Sequence, residues 1–153
     1  MTTIAYREGI LARDGRMTSG GIIVSEDTEK VFRCDGIIMG RKVVAFGISG
    51  HSSAIHYVNL KEGVDTVTQF PVGIYFNLIA ICEDGAVIEL SKQEEDTYCH
   101  INEIKASYHA AGSGYQLALG AMATGCSAEG AVMAAVKHDS GTGGKIKVIE
   151  VFK

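Results

Sequence analysis

Thr2 follows Met1 directly. Removal of Met1 by an aminopeptidase would make Thr2 the N-terminus, and an N-terminal Thr carries both a nucleophile and a base. Its hydroxyl can attack a carbonyl carbon, and its own α-amino group can accept the proton. The reference pKa of an α-amine, about 7.7–8.0, lies near cellular pH, so the base needs little tuning. A carboxylate is predicted to lie beside it. Segments 3–7 and 10–14 flank Glu8-Gly9, a two-residue hairpin signal. With Arg7 facing Ile10, the ladder sets Thr3 opposite Asp14, and Thr2 beside Asp14 and Gly15. A Met-Thr start alone is commonplace, so the weight falls on the rest of the chain.

Other reactive side chains show no pattern. Cys34, Cys82, Cys99 and Cys126 include no CxxC pair and no metal-ligand spacing with a histidine. They read as buried, reduced thiols. His51 and His56 could share one side of a helix, but no HExxH or similar pattern supports them. The expectation is no metal and no cofactor.

Strands dominate the first half. Segments 30–34, 36–40 and 42–48 read as short strands, with Ser19-Gly20-Gly21 as a loop. A helix is predicted over 52–60, stopped by Glu62-Gly63. Segments 76–81 and 86–90 flank Asp84-Gly85, a second hairpin signal, and a short strand is expected near 98–101. Gly112-Ser113-Gly114 precedes a helix over 115–124. Ser127 reads as the N-cap of another helix over 128–137, with Glu129 in its first turn where the dipole favours an acid. A loop over 139–144 leads to a closing strand at 145–152. Hairpins followed by helices imply an α+β fold, with antiparallel sheets covered by helices.

Length and composition bound the function. The chain has 153 residues, 46% of them hydrophobic, and a net charge of −4 with both signs scattered. This suits one globular domain over 1–153 with a real core. No basic run suggests nucleic acid, and no apolar stretch is long enough to span a membrane. The start lacks the basic and apolar regions of a signal peptide, so a cytoplasmic location is expected.

Taken in order, these residues resemble a family. Thr2-Thr3-Ile4, Ala12-Arg13-Asp14-Gly15-Arg16-Met17-Thr18 and Lys30-Val31 follow the pattern of proteasome β-type subunits and of the bacterial HslV peptidase. Ala45-Phe46-Gly47-Ile48-Ser49-Gly50 looks like their glycine-bearing strand end. Gly112-Ser113-Gly114, Leu119-Gly120-Ala121-Met122 and Ser127-Ala128-Glu129 look like their GSG-helix-helix stretch. Asp139-Ser140-Gly141-Thr142-Gly143-Gly144 resembles their last loop.

The resemblance implies a four-layer αββα sandwich of antiparallel sheets and N-terminal-nucleophile (Ntn) hydrolysis of peptide bonds by a threonine-type endopeptidase. Thr2 would be the nucleophile, and Lys30 would lower the amine pKa by like charge. Asp14 would hold Lys30. The Gly50 N–H would stabilise the oxyanion. Ser113, Asp139 and Thr142 would hydrogen-bond around the amine. Thr142 stands where the family more often has Ser. The implied setting is a ring-shaped homo-oligomer acting on peptides or unfolded proteins, with an ATP-dependent unfoldase as candidate partner. The clipped first hairpin, the reduced helical segment at 52–60 and the start without a propeptide suggest a short bacterial or phage-type homologue, closer to HslV. Two other readings stay open: an Ntn amidohydrolase acting on a small amide, and a catalytically silent assembly protein.

Overall fold

The computed structural model describes residues 2–153. Met1, whose removal the N-terminal chemistry requires, lies outside the described residues. Strands β1 (Thr3–Arg7) and β2 (Ile10–Arg13) form the expected hairpin. Glu8 and Gly9 have φ of 51° and 78°, the paired positive angles of a type I′ turn. The register runs from Arg7↔Ile10 to Ile4↔Arg13. Beyond it the Asp14 N–H donates to the Thr3 carbonyl at 3.3 Å, so Thr3 faces Asp14 as the turn requires.

The 19–21 segment is a hairpin turn rather than a loop. It joins β3 (Met17–Ser19) to β4 (Ile22–Ser25) through Gly20 and Gly21, whose φ values are 57° and 81°. The two strands predicted over 30–40 are one, β5 (Val31–Ile38), with a register shift between Arg33 and Gly36. A Met39-Gly40 turn leads into β6 (Arg41–Gly50). The helix expected over 52–60 shrinks to the single turn α1 (Ala54–Tyr57). Its Ser53 cap makes no side-chain hydrogen bond, and Val58 is already extended. Val58 and Leu60 are drawn instead into a core cluster with Val64, Phe70 and Ile74, which outweighs the weak helical preference of so short a segment.

Strands β7 (Phe76–Cys82) and β8 (Val87–Lys92) flank the Asp84-Gly85 turn, and β9 (His100–Ile104) follows slightly later than predicted. Strand β10 (Tyr108–Gly112) was not expected. Helices α2 (Tyr115–Ala123) and α3 (Ala128–His138) match the sequence pattern, and the Gly130 N–H donates to Ser127 Oγ at 3.0 Å, closing the cap. Strand β11 (Lys147–Glu150) is shorter than predicted.

One antiparallel sheet has the order β10-β1-β2-β11 and another β5-β6-β7-β8-β9, while β3 and β4 form a separate ribbon. Period-two alternation along β1 divides the core. Ile4 and Tyr6 enter a cluster with Ala45, Ile79 and Ile81 of the second sheet. Ala5, with Ala12 and Ala110, enters another with Ala118, Ala128 and Ala131 of the helices. Small residues on both sides of that seam let helix and sheet approach closely. The far side of the second sheet carries Phe46, Leu78 and Leu90, packed with the mostly irregular chain that follows β6. Among the described residues, no helix is long and apolar enough to cross a membrane.

The sheets meet at Gly47. A Cβ added there would lie 2.6 Å from Ile4 Cγ2 and 3.2 Å from Val31 Cγ1, both in the packed interior. Gly47→Ala is therefore expected to destabilise the protein by about 1–3 kcal/mol through overpacking. Urea unfolding checks this; unchanged stability would contradict the packing described.

Candidate active site

The hairpin turn places Asp14 beside the first residues of the chain, and the entry to β5 places Lys30 opposite. Asp14 is fully buried. Its Oδ1 accepts from Lys30 Nζ at 2.8 Å and from the Thr3 N–H at 3.0 Å. Its Oδ2 accepts from the N–H groups of Gly143 at 3.0 Å and Arg16 at 3.3 Å. Lys30 Nζ donates a second bond to the Arg16 carbonyl at 2.6 Å. Burial pushes the Lys30 ammonium below the ordinary lysine range, and the Asp14 charge opposes that shift. An ammonium so placed releases its proton more readily than one in water, while the carboxylate beside it favours the charged form.

Arg13 reinforces this corner. Its side chain is fully buried, and Nη2 reaches Asp27 at 3.0 Å and Glu29 at 2.8 Å. Lys147 meets the same two acids at 3.3 Å each. These contacts tie down the segment that leads into Lys30. The role of Arg13 was invisible in the sequence, where the residue reads as a strand end.

Thr2 is 6% exposed and lines a cavity of about 550 Å³ together with Lys30 and Gly50. Phe32, Ile48, Ile55 and Tyr75 supply apolar wall, and the Gly20-Gly21 turn borders the opening. Gly50 ends β6 with φ of 127°, and a Cβ there would lie 2.4 Å from the Tyr75 carbonyl oxygen. Only glycine fits that position, so the backbone itself faces the cavity without a side chain in the way.

A second set of hydrogen bonds approaches Thr2 from the loop after α3. Asp139 Oδ2 accepts from Ser113 Oγ at 2.6 Å and from Thr142 Oγ1 at 2.5 Å, while Oδ1 accepts from the Gly141 N–H at 3.3 Å. Burial alone would raise the Asp139 pKa; the hydroxyl and amide donors outweigh it and hold the carboxyl below its usual range. Ser113 Oγ lies 3.5 Å from the Thr2 carbonyl oxygen. Gly112 makes that approach: a Cβ there would fall 1.9 Å from the same oxygen. Thr2, Asp14, Lys30, Gly50, Ser113, Asp139 and Thr142 thus come together, in a cavity-lining set of Thr2, Lys30 and Gly50 with Asp14 behind it and a hydroxyl–carboxylate set beside it. Sequence reasoning missed Thr3, whose hydroxyl lies 2.7 Å from Thr142 Oγ1. Among the described residues, no cluster of His, Cys, Asp and Glu could hold a metal ion.

No family model and no curated protein matches the chain. Solved structures do. Thiobacillus denitrificans BPH in complex with epoxomicin superposes with a TM-score of 0.64 at 18% identity, covering 99% of each chain. Thiobacillus denitrificans BPH alone gives 0.63 at 18% identity, over 98% of this chain and 97% of the other. The chain has a proteasome-like fold. At that identity the likeness concerns the fold, on which the corner around Asp14 and Lys30 is built from this chain's own residues.

That corner yields a prediction. Lys30→Met would strand a buried carboxylate without its cation, an expected loss of about 3–5 kcal/mol. Adding Asp14→Asn should recover part of the loss, because the amide removes the stranded charge and its oxygen can keep the Gly143 and Arg16 N–H bonds, while its NH2 gives up the bond from the Thr3 N–H. Urea denaturation of the single and double variants measures the coupling; additive losses would contradict it.

Proposed function

We propose that the protein is a threonine-type endopeptidase in which Thr2, freed of Met1, is the nucleophile. The observation that carries this reading is the gathering around Thr2 of two polar systems, Lys30–Asp14 and Ser113–Asp139–Thr142, at a cavity that Lys30 and Gly50 line with it. In this reading the Thr2 hydroxyl oxygen bonds to the scissile carbonyl carbon while its proton passes to the Thr2 α-amine. Lys30, held as a cation by Asp14, disfavours a second positive charge on that amine and keeps it unprotonated, free to accept the proton. The Gly50 N–H would stabilise the oxyanion. Collapse of the tetrahedral intermediate breaks the C–N bond, and the amine returns the proton to the leaving group. Water then attacks the Thr2 ester, giving up its proton to the same amine, and the acid product leaves as the hydroxyl is restored. Asp139, Ser113 and Thr142 orient the amine.

The complex of Thiobacillus denitrificans BPH with epoxomicin supports a Thr-nucleophile site on this fold. The remaining features of the reading follow from it: one αββα domain over 1–153 with its second outer layer reduced, acting in the cytoplasm on peptides or unfolded proteins inside a ring-shaped homo-oligomer, with an ATP-dependent unfoldase as candidate partner. The ribbon favours assembly. Ile22, Ile23 and Val24 are exposed by 68%, 49% and 56%, and a two-stranded ribbon is marginal without a packing partner.

The test is cleavage of short fluorogenic peptides by Met-free protein. Thr2→Ala should lower kcat by at least about 10³-fold, the scale of losing a covalent nucleophile. Epoxomicin should add one adduct to the intact mass of the parent protein and none to Thr2→Ala. Equal activity in both would overturn the assignment. Light scattering checks the assembly: a ring is expected, and a monomer with full activity would favour the small-amide reading.

A further inference from the structure

Neighbouring side chains along an extended segment point to opposite faces. Ile4 and Tyr6 enter the layer between the sheets, and Ala5 enters the helix layer. Thr3 shares the face of Ala5: a Cβ added at Gly114, just ahead of α2, would lie 2.2 Å from Thr3 Oγ1 and 2.8 Å from Ala135 Cβ of α3. Thr2 lines the cavity on the other face. Thr3 therefore grips the chain from behind the nucleophile.

Its two donors, the N–H and the hydroxyl, lead to the two carboxylates. The Thr3 N–H, which belongs to the same peptide unit as the Thr2 carbonyl, donates to Asp14 Oδ1 at 3.0 Å. The side chain leads to Asp139, and the proton inventory sets the direction. An ionised carboxylate only accepts. Thr142 Oγ1, 2.5 Å from Asp139 Oδ2, commits its single proton there. At 2.7 Å, the bond between Thr3 Oγ1 and Thr142 Oγ1 must then be donated by Thr3. The relay runs Thr3 → Thr142 → Asp139. Thr3 is fully buried, so water cannot replace it.

We propose that Thr3 is a positioning residue: its hydroxyl, relayed through Thr142 to Asp139, locks the Thr2–Thr3 peptide against rotation and couples Asp139 to Asp14. The inference rests on the reading of Thr2 as nucleophile. The N–H bond to Asp14 and the contact of Ser113 Oγ with the Thr2 carbonyl oxygen at 3.5 Å leave the peptide a pivot about the line through the two. A further anchor on the opposite face removes the pivot and fixes where the Thr2 hydroxyl and amine point, which matters because small misplacements of reacting groups are costly.

The experiment compares Thr3→Val, which keeps shape but loses the donor, with Thr3→Ser, which keeps it, both as Met-free protein. Thr3→Val should lower kcat about tenfold with KM unchanged, the equivalent of one hydrogen bond, and Thr3→Ser should return kcat to within about threefold of the parent. Melting is followed in parallel. Parent kcat in Thr3→Val overturns the inference, as does an equal loss in both variants that tracks only their folded fraction. A second readout needs no turnover: NMR titration of the Thr2 α-amine in protein labelled with ¹⁵N-threonine. Its midpoint should move in Thr3→Val and return in Thr3→Ser; an unmoved midpoint overturns the inference. If Thr2→Ala retains parent cleavage, the peptidase reading falls, and the titration still decides the role of Thr3.

Discussion

A buried ion pair organises this molecule. Asp14 has no solvent access and Lys30 almost none, so each would be costly to bury alone. The cost is offset because Asp14 receives N–H donors from three separate stretches of chain, Thr3, Arg16 and Gly143, in addition to the lysine. Those donors fix the first strand, the turn after the second and the loop after the last helix relative to one another. The ion pair is thus both the electrostatic neighbour of Thr2 and the bolt that aligns the elements around it. Arg13 extends the same logic outward, exchanging its own burial for bonds to Asp27 and Glu29 and so holding the approach to Lys30.

Asp139 solves a related problem differently. Among the described residues, the hydroxyls of Ser113 and Thr142 and the Gly141 amide stabilise its charge. Neutral donors screen a carboxylate without adding positive potential. The paired ammonium of Lys30 lines the cavity with Thr2, while the hydrogen-bonded Asp139 lies beside the cavity and reaches the Thr2 carbonyl through Ser113.

Local chemistry was legible in the sequence, and long-range packing was not. Glu8-Gly9 and Asp84-Gly85 announced their hairpins, and the register of the first was enough to bring Asp14 to the chain start. The Ser127 cap was equally plain. Gly20-Gly21 carried the same kind of turn signal, but the short flanks Met17-Thr18-Ser19 and Ile22-Ile23-Val24 show no alternation, so the ribbon passed for a loop. Strand β10 was missed because Tyr108-His109-Ala110-Ala111-Gly112 lacks β-branched residues; pairing with β1 makes it a strand. The segment at 52–60 failed for the opposite reason, its helical spacing overridden by the burial of Val58 and Leu60. Lys30, Gly50, Ser113, Asp139 and Thr142 join Asp14 only through the family resemblance, since no spacing rule places residues so far apart in one site. Thr3 and Arg13 gave no signal, because their roles depend on partners that only the tertiary fold supplies.

The alanine seam between the first sheet and the helices has a consequence for how the protein tolerates change. Ala5, Ala12 and Ala110 meet Ala118, Ala128 and Ala131 with little side chain between them. Such a joint has almost no play. Helix α3 ends at Asp139, so its distance from the sheet sets the height of that carboxylate above the chain start. Enlarging a residue in the seam, a full layer away from the cavity, would lift the helix and carry Asp139 with it. The clearance of a mechanical fit, more than any contact within the cavity, then determines how far the site can drift.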